Sequence, residues 1–353
     1  MLIAALDNTN STSSQKYTED FIRAKIVQFN YQITKPNQHN FKLLNNTLRE
    51  LLTTFKSMMC GMERNIAKQY LIILYKMIGY TRDIVDGKGE YTLTYMMILT
   101  WYDVYPELAL FAIKCLVDLR DNKSTSVHQY GSWKDIKYFC KYCKSQQISI
   151  DSPLIKYCIT LINEQLLKDY NNIITDPNNI SLAAKWVPRE KSSFGWLYEK
   201  LATNYFVQYM RTSTKLTVDK AILKCKTDYR KVCSILNKHI DTLQIKQCQQ
   251  SWSKINFDNV TAISMNKQYK AFMNIKNKDI VDRKICANNF TEYLKSDSSR
   301  VKDNLVSFHK NTELNKSDLL QHFESQLNMW TLLETNLSNK RYLILEEKIE
   351  EII

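Results

Sequence analysis

Glycine, proline and histidine are scarce in this sequence, with 6 Gly, 5 Pro and 5 His among 353 residues. Tight hairpin turns and glycine-rich phosphate loops are built from glycine and proline, so their scarcity argues against a many-stranded sheet and a Walker-type nucleotide site. No two histidines stand at a metal-ligand spacing, and no catalytic motif is visible. We therefore predict that the chain is not an enzyme and uses no cofactor.

A long apolar run and a disulfide framework are also missing. The longest apolar stretch, 70–78, is interrupted by Lys76 and is too short to cross a bilayer, which predicts no membrane partner. The 9 cysteines are an odd number without dense spacing, which predicts reduced thiols and an intracellular location. Cys140 and Cys143 form the one Cys-x-x-Cys pair. With no fourth ligand nearby, we predict buried thiols and no metal site.

What the chain does contain is apolar residues at three- and four-residue steps, the period of a helix that buries one face. Strand-type alternation is nowhere sustained. The sequence therefore predicts an all-α fold of about a dozen helices, either an irregular helical-repeat solenoid or a multi-helix bundle. The main stripes are Ile66 to Met77, Leu108 to Leu119, Leu154 to Leu161, Phe194 to Tyr205, Tyr229 to Ile240 and Leu319 to Leu333.

Polar clusters suggest how the chain is organised. Residues 1–16 end in a Ser/Thr/Asn-rich stretch, which predicts a flexible leader. Residues 17–335 are expected to form the helical-repeat domain, and 175–182 is the place for a subdivision. Residues 336–353 switch to acidic character, which predicts a C-terminal helix or tail.

Positive charge is concentrated in one stretch. Residues 182–231 contain eleven Lys/Arg against four Asp/Glu, a net charge of +7 within a chain of +13. Such a cluster favours polyanions, and nearby aromatic rings can stack on unpaired bases. The alternative, left open, is that the rings belong to helix cores while the lysines solvate outer faces. The candidate nucleic-acid-binding residues here are Lys185, Trp186, Arg189, Lys191, Arg211, Lys224, Arg230 and Lys231.

Four motifs in register resemble domain-of-unknown-function family 2828, found in plants, fungi and giant viruses. The similarity in order and spacing extends over roughly residues 40–335. The motifs are Thr81-Arg82-Asp83 with Gly87-Lys88-Gly89-Glu90; Tyr130-Gly131-Ser132-Trp133-Lys134-Asp135; Leu182-Ala183-Ala184-Lys185-Trp186-Val187-Pro188; and Trp252 with Ile255-Asn256-Phe257, Val260 and Ser264-Met265.

The resemblance implies an N-terminal helical region, HEAT-like or TROVE-like, followed by a von Willebrand factor A domain. TROVE-domain proteins bind small RNAs, so RNA is the partner that the resemblance favours. Residues 326–334 look like the lead-in to the second domain, and Asp297-Ser298-Ser299-Arg300-Val301 fails the metal-site pattern of an A domain at its last position. We therefore expect a truncated member that lacks the A domain, which a partner chain would supply.

The matched motifs also carry charge pairs. Arg82-Asp83 and Lys134-Asp135 each place a cation beside an anion next to glycines, as buried ion pairs that fix helix angles would. Equally, Arg82, Lys88 and Lys134 are candidates, with Lys185, to line a concave surface that faces phosphates. The leading hypothesis is a non-catalytic scaffold that binds RNA. The alternative is a protein-interaction or virion-associated protein of a giant virus, in host cytoplasm or virion.

Overall fold

Helices account for all regular secondary structure in the part of the chain that the computed structural model describes. That part comprises residues 19–33, 38–61, 63–119, 128–211, 217–277, 279–296 and 326–353. Within it lie sixteen α-helices and three short 3-10 helices, with no β-strand. The predicted all-α class is confirmed. The predicted leader, 1–16, and the segment 297–301 lie outside the described residues.

The chain divides into two compact units, and the second is inserted into the first. Unit 1 comprises residues 1–132 and 324–353, and unit 2 comprises residues 133–323. The place expected for a subdivision, 175–182, falls inside unit 2. The acidic segment from 336 onward belongs with unit 1, so the two ends of the chain share one unit.

The helices are numbered along the chain. Unit 1 begins with α1 Glu19–Ile33, α2 Gln38–Met58, α3 Arg64–Arg82, α4 Tyr91–Val104 and α5 Pro106–Cys115. Unit 2 contains α6 Trp133–Ser145, α7 Pro153–Thr175, α8 Ala183–Trp186, α9 Gly195–Tyr205, α10 Val207–Arg211, α11 Val218–Ile240, α12 Leu243–Cys248, 3-10 turns Trp252–Lys254 and Phe257–Asn259, α13 Ala262–Phe272 and α14 Val281–Lys295. Unit 1 resumes with α15 Gln326–Leu337, the 3-10 turn Lys340–Tyr342 and α16 Leu343–Ile352.

Local sequence explains where several helices begin and end. Ser152 caps α7 by accepting a hydrogen bond from the Ile155 amide, and Pro153 occupies the first turn, where its missing N–H costs nothing. Thr261 caps α13 in the same way by accepting from the Ser264 amide. Helix α11 ends at Asp241, whose φ of 52° is left-handed. The predicted break at 151–153 is confirmed.

The core of unit 1 is built around α3, which packs against α2, α4 and α16. The rings of Tyr75 and Trp101 lie 5.0 Å apart, and the Tyr75 hydroxyl donates to the Leu108 carbonyl. Gly79 faces Leu345 of α16, where an added Cβ would lie 2.8 Å from Leu345 Cδ1. Glycine therefore permits the close packing of α16 on α3.

A buried carboxylate fixes the C-terminal segment to unit 1. Asp83 is fully buried and accepts hydrogen bonds from both Arg341 Nε, at 2.6 Å, and Arg341 Nη2, at 2.7 Å. The Tyr342 hydroxyl and the Val85 amide donate to the same carboxylate. Arg341 follows Asp83 by 258 residues in the chain, and we call this ion pair the Asp83–Arg341 clamp.

The first part of unit 2 is held together by a buried polar network. Asn163 of α7 donates to the Leu201 carbonyl and to Asn204 Oδ1, and it accepts from the Tyr229 hydroxyl. Each polar group in this network has a partner, so the amide can be buried without an unpaired donor or acceptor. The network joins α7, α9 and α11.

A separate small core lies in the later part of unit 2. Phe257, Phe272 and Phe290 pack with ring centroids 4.9–5.2 Å apart. Asp282 at the start of α14 accepts from the Trp252 and Ser253 amides, which fixes the preceding turn. Phe257 and Trp252 belong to the last of the four motifs that carry the family resemblance, so that motif serves to build this core.

Candidate nucleic-acid interface

Helix α6 presents a row of lysines beside its buried row. The buried row is Trp133, Ile136, Phe139, Cys140 and Cys143, which packs into unit 2. Lysines follow it by one residue, at 134, 137, 141 and 144, or about 100° further round the helix. These side chains therefore form one stripe, about 15 Å long from first to last at 1.5 Å per residue.

Aromatic rings from the segment after α7 lie along this lysine stripe. Lys137 Nζ is 5.2 Å from the Trp186 ring and 5.3 Å from the Phe194 ring. Lys144 Nζ lies 4.9 Å from the Trp196 ring. We call this surface the lysine–aromatic face, defined by Lys134, Lys137, Tyr138, Lys141, Lys144, Lys185, Trp186, Phe194 and Trp196.

Trp186 is the point at which most of the positive charge converges. The ammonium groups of Lys134, Lys137 and Lys185 lie 5.9, 5.2 and 6.0 Å from its ring. The indole is partly buried, so one part of the ring packs against protein while another part stays accessible. Cations within about 6 Å of an aromatic face are attracted by its quadrupole, which offsets part of the repulsion between the three lysines.

The five lysines of this face form no ion pair with any carboxylate among the described residues. The same is not true of the basic stretch 182–231, where four of the ten cations that the structure describes are paired with acids. Those pairs are Lys200–Asp151, Lys226–Glu199, Arg230–Glu190 and Lys231–Asp228. The face therefore keeps its positive charge. In the stretch 182–231, three of the four pairs use acids that are already subtracted in its net charge of +7, and Lys200 is paired with an acid from outside it.

Burial affects the protonation of two lysines in this face. Partial burial lowers the pKa of Lys137, and the positive charge of Lys134 lowers it further. Burial also lowers the pKa of Lys185. An anion placed against this surface would stabilise the charged forms of both lysines and raise their pKa.

The predicted site residues fall into three groups: those of the lysine–aromatic face, those elsewhere in unit 2, and those of unit 1. Lys134, Lys185 and Trp186 lie together in the lysine–aromatic face. A second group lies elsewhere in unit 2, where Lys224 Nζ is 4.1 Å from the Tyr209 ring. Arg230 and Lys231 are ion-paired, as described above. Arg189, Lys191 and Arg211 are exposed.

Arg82 and Lys88 lie in unit 1 and outside this face. Arg82 is buried, with 8% of its surface exposed. The Lys88 ammonium donates to the carbonyl and the side-chain oxygen of Asn30, and burial lowers its pKa to about 8. Both side chains have structural surroundings inside unit 1.

Six residues of the face were not predicted from the sequence: Lys137, Tyr138, Lys141, Lys144, Phe194 and Trp196. The signal for the lysines was present, because positions 134, 137, 141 and 144 repeat at three- and four-residue steps. The net charge of a fifty-residue window does not reveal such a stripe, since four lysines on one helix face add little to the total. The three rings carried no separate signal, because aromatic residues at helical spacing are usually core.

The cysteines of α6 are buried, as predicted. Cys140, Cys143 and Cys158 are each 0% exposed. Burial raises the pKa of Cys143, and a hydrogen bond with Cys140 together with burial raises the pKa of Cys158. Within the described residues, no three His, Cys, Asp or Glu side chains come together as a metal site. No described helix is long and apolar enough to span a membrane.

Comparison with known proteins identifies relatives without a known activity. The chain is 26% identical over 298 residues to "Uncharacterized protein L728" of Acanthamoeba polyphaga mimivirus. The alignment covers 78% of this chain and 46% of that protein, so the chain spans about half the length of this relative. No solved structure matches.

A family model for "Domain of unknown function (DUF2828)" matches residues 154–296. This range is narrower than the 40–335 over which the motifs resemble the family, and it begins after α6. It contains Trp186, Phe194 and Trp196 of the lysine–aromatic face. The resemblance to domain-of-unknown-function family 2828 is thus confirmed, with residues 154–296 of unit 2 as the part that matches.

Proposed function

We propose that unit 2 is a non-catalytic module that binds RNA through the lysine–aromatic face. One observation carries the proposal: five lysines without described carboxylate partners lie along four aromatic rings, with three of the lysines converging on Trp186. Like charges gathered in this way repel each other, and an anionic ligand would remove that cost. Aromatic rings beside the charges suit a polyanion that also carries flat bases.

The physical signature of such binding is its dependence on salt. Each phosphate neutralised on a single strand contributes a slope of about −0.7 to log K against log salt concentration. Four phosphate contacts along the stripe of α6 would give a slope of about −3. Stacking on the rings would add an attraction that salt does not screen, so affinity should persist after the electrostatic part has been weakened.

The experiment is a titration of the full chain with a labelled twelve-nucleotide single-stranded RNA at two salt concentrations, followed by fluorescence anisotropy. We expect a double variant, Lys141→Gln with Lys144→Gln, to lose about 25-fold in affinity at 0.1 M salt, because each contact is worth about fivefold there. The matched control is Lys168→Gln, an exposed lysine of α7. No binding at low salt by the unaltered chain, or an equal loss in the control, would disprove RNA binding by this face.

A protein-interaction role is the second candidate. Leu167, Tyr170 and Ile174 form an exposed apolar row on α7, and Ile174 is 87% exposed. Apolar residues grouped at helical spacing on a surface suit a protein partner. A virion-associated role for this chain belongs to this second candidate, and the origin of the relative in a giant virus motivates it. A partner that co-purifies with the unaltered chain and is lost with Ile174→Asp would favour this candidate.

Two further expectations from the sequence stay proposals. An intracellular location is supported by nine cysteines that are all free thiols. A partner chain that supplies a von Willebrand factor A domain is supported by the family resemblance alone. Co-expression with a candidate A-domain protein, followed by size-exclusion chromatography, tests the second.

A further inference from the structure

The ammonium group of Lys137 lies among three aromatic rings. Its Nζ atom is 5.2 Å from the centroid of Tyr138, 5.2 Å from that of Trp186 and 5.3 Å from that of Phe194. The Tyr138 and Phe194 rings meet edge to face, with centroids 5.5 Å apart and planes at 76°. The three rings therefore form a partial cage, and the cage is filled by a side chain of the same molecule.

This arrangement holds Lys137 in place at a cost. The rings attract the ammonium group, but Lys134 Nζ also lies within 6 Å of two of them, at 5.5 Å from Tyr138 and 5.9 Å from Trp186. Two like charges thus share the same rings, and none of the described carboxylates pairs with either one. Burial and Lys134 lower the pKa of Lys137, which agrees with a cation that is incompletely compensated.

Lysine is suited to leave such a cage. Its ammonium group is a point charge at the end of a flexible four-carbon stem, so a rotamer change moves the charge by several ångströms while the backbone of α6 stays in place. The rings are less free, because Tyr138 and Trp186 are partly buried and fixed by their helices. A ligand that offers both a flat ring and a nearby negative charge could exchange with the ammonium group.

We propose that Tyr138, Trp186 and Phe194 form a pocket for one unpaired nucleobase, and that Lys137 fills this pocket until RNA draws its ammonium group onto a phosphate. The proposal rests on RNA binding by the lysine–aromatic face and adds the class of RNA. A base inside a duplex is stacked on both faces by its neighbours, so only an unpaired base can enter. Lys134, Lys141 and Lys144 would contact the flanking phosphates.

The decisive comparison is between two alanine variants on the same helix. Lys137→Ala and Lys141→Ala each remove one positive charge from α6 and introduce the same good helix former. The loss of one phosphate contact weakens binding about fivefold at 0.1 M salt. We expect that loss for Lys141→Ala, whereas Lys137→Ala also empties the pocket and should bind unpaired RNA at least as tightly as the unaltered chain.

A duplex RNA of the same length distinguishes the pocket from a general charge effect. A duplex offers phosphates but no free base, so both variants should lose affinity for it equally. Equal losses on single-stranded RNA as well would overturn the pocket while leaving RNA binding by the face intact. If the unaltered chain does not bind single-stranded RNA at low salt, the proposed function itself fails.

A charge-conserving variant guards against misfolding of the alanine variants. Lys137→Arg keeps the positive charge and fills the cage with a planar guanidinium, which stacks more firmly on aromatic rings. We expect it to bind unpaired RNA several-fold more weakly than the unaltered chain and duplex RNA equally well. Unpaired RNA should also quench tryptophan fluorescence, with the signal lost in Trp186→Phe. Binding by Lys137→Arg as tight as that of the unaltered chain would contradict the exchange.

Discussion

The buried ion pair of unit 1 and the α6 surface of unit 2 use charge in opposite ways. In unit 1 the buried carboxylate of Asp83 is satisfied by Arg341, and Lys76 pairs with Glu346 at 2.7 Å, so charges join distant segments. In unit 2 the lysines of α6 have aromatic neighbours but no ion pair with a described carboxylate. A charge that has a partner stabilises the fold, whereas charges grouped without one are available to a ligand. The presence or absence of ion pairs, more than the number of cations, distinguishes the buried ion pairs of unit 1 from the candidate site on α6.

The largest expected effect comes from breaking the Asp83–Arg341 clamp. Asp83→Asn should lower the free energy of unfolding by about 3 kcal/mol, because it removes the bidentate carboxylate partner of the largely buried Arg341 and leaves that side chain only the Asp86 carboxylate, whose Oδ2 lies 3.4 Å from Nε. The measurement is urea denaturation followed by circular dichroism. The control is Lys348→Ala, which removes an exposed pair with Glu351 and should cost less than about 1 kcal/mol. Similar small losses for both variants would show that the Asp83–Arg341 clamp does not hold the C-terminal segment.

A second experiment tests Lys88 of unit 1, which is half-buried and donates hydrogen bonds to Asn30. Burial lowers the pKa of Lys88 from its ordinary value of 10.5 to about 8. The folded state therefore binds fewer protons than the unfolded state between these values, and stability must rise with pH. Relative to Lys88→Met, the unaltered chain should gain about 2 kcal/mol between pH 8 and pH 10.

Comparison with Lys88→Met isolates this effect, since tyrosines and thiols titrate in both proteins. Burial raises the pKa of Tyr130 and Cys115, which destabilises the fold at high pH in either one. A difference in stability that does not change with pH would mean that Lys88 is solvated like a surface lysine. In that case the environment of Lys88 in unit 1 would resemble that of the exposed lysines of α6.

The smallest expected effect tests the role of Trp186 in the lysine–aromatic face. Trp186→Ala should weaken binding of single-stranded RNA about tenfold, or about 1.4 kcal/mol, because stacking on one base is lost. The slope of affinity against salt should stay unchanged, since no charge is removed. Tyr269→Ala, at an exposed ring elsewhere in unit 2, is the control. A changed salt slope would mean that Trp186 acts by positioning the lysines.

Much of the local structure was predictable from the sequence. The apolar stripes from 66 to 77 and from 229 to 240 lie within α3 and α11. The break at 86–89 falls between helices, and the break at 151–153 ends where α7 begins. Helical periodicity is a property of neighbouring residues, so a single sequence contains it. The burial of Cys140 and Cys143 was predictable for the same reason, since both share the apolar face of α6.

The candidate site was predictable only in part. Lys134, Lys185 and Trp186 were identified from the sequence, yet the lysines between them in space were not. Lys137 and Phe194 are 57 positions apart in the chain, and nothing in either neighbourhood indicates that they meet. The partner of Asp83 was missed for the same reason, because Arg341 follows it by 258 residues.

The sequence by itself determined that this chain is helical and basic. Few glycines and prolines and a sustained helical period leave helices as the one way to bury its apolar residues, and composition sets the charge. Only the tertiary structure decided which positive charges are neutralised. Ion pairing depends on distances of a few ångströms between residues that can lie hundreds of positions apart. The lysines of α6 were therefore distinguished from the ion-paired cations of 182–231 by what the fold brought next to them.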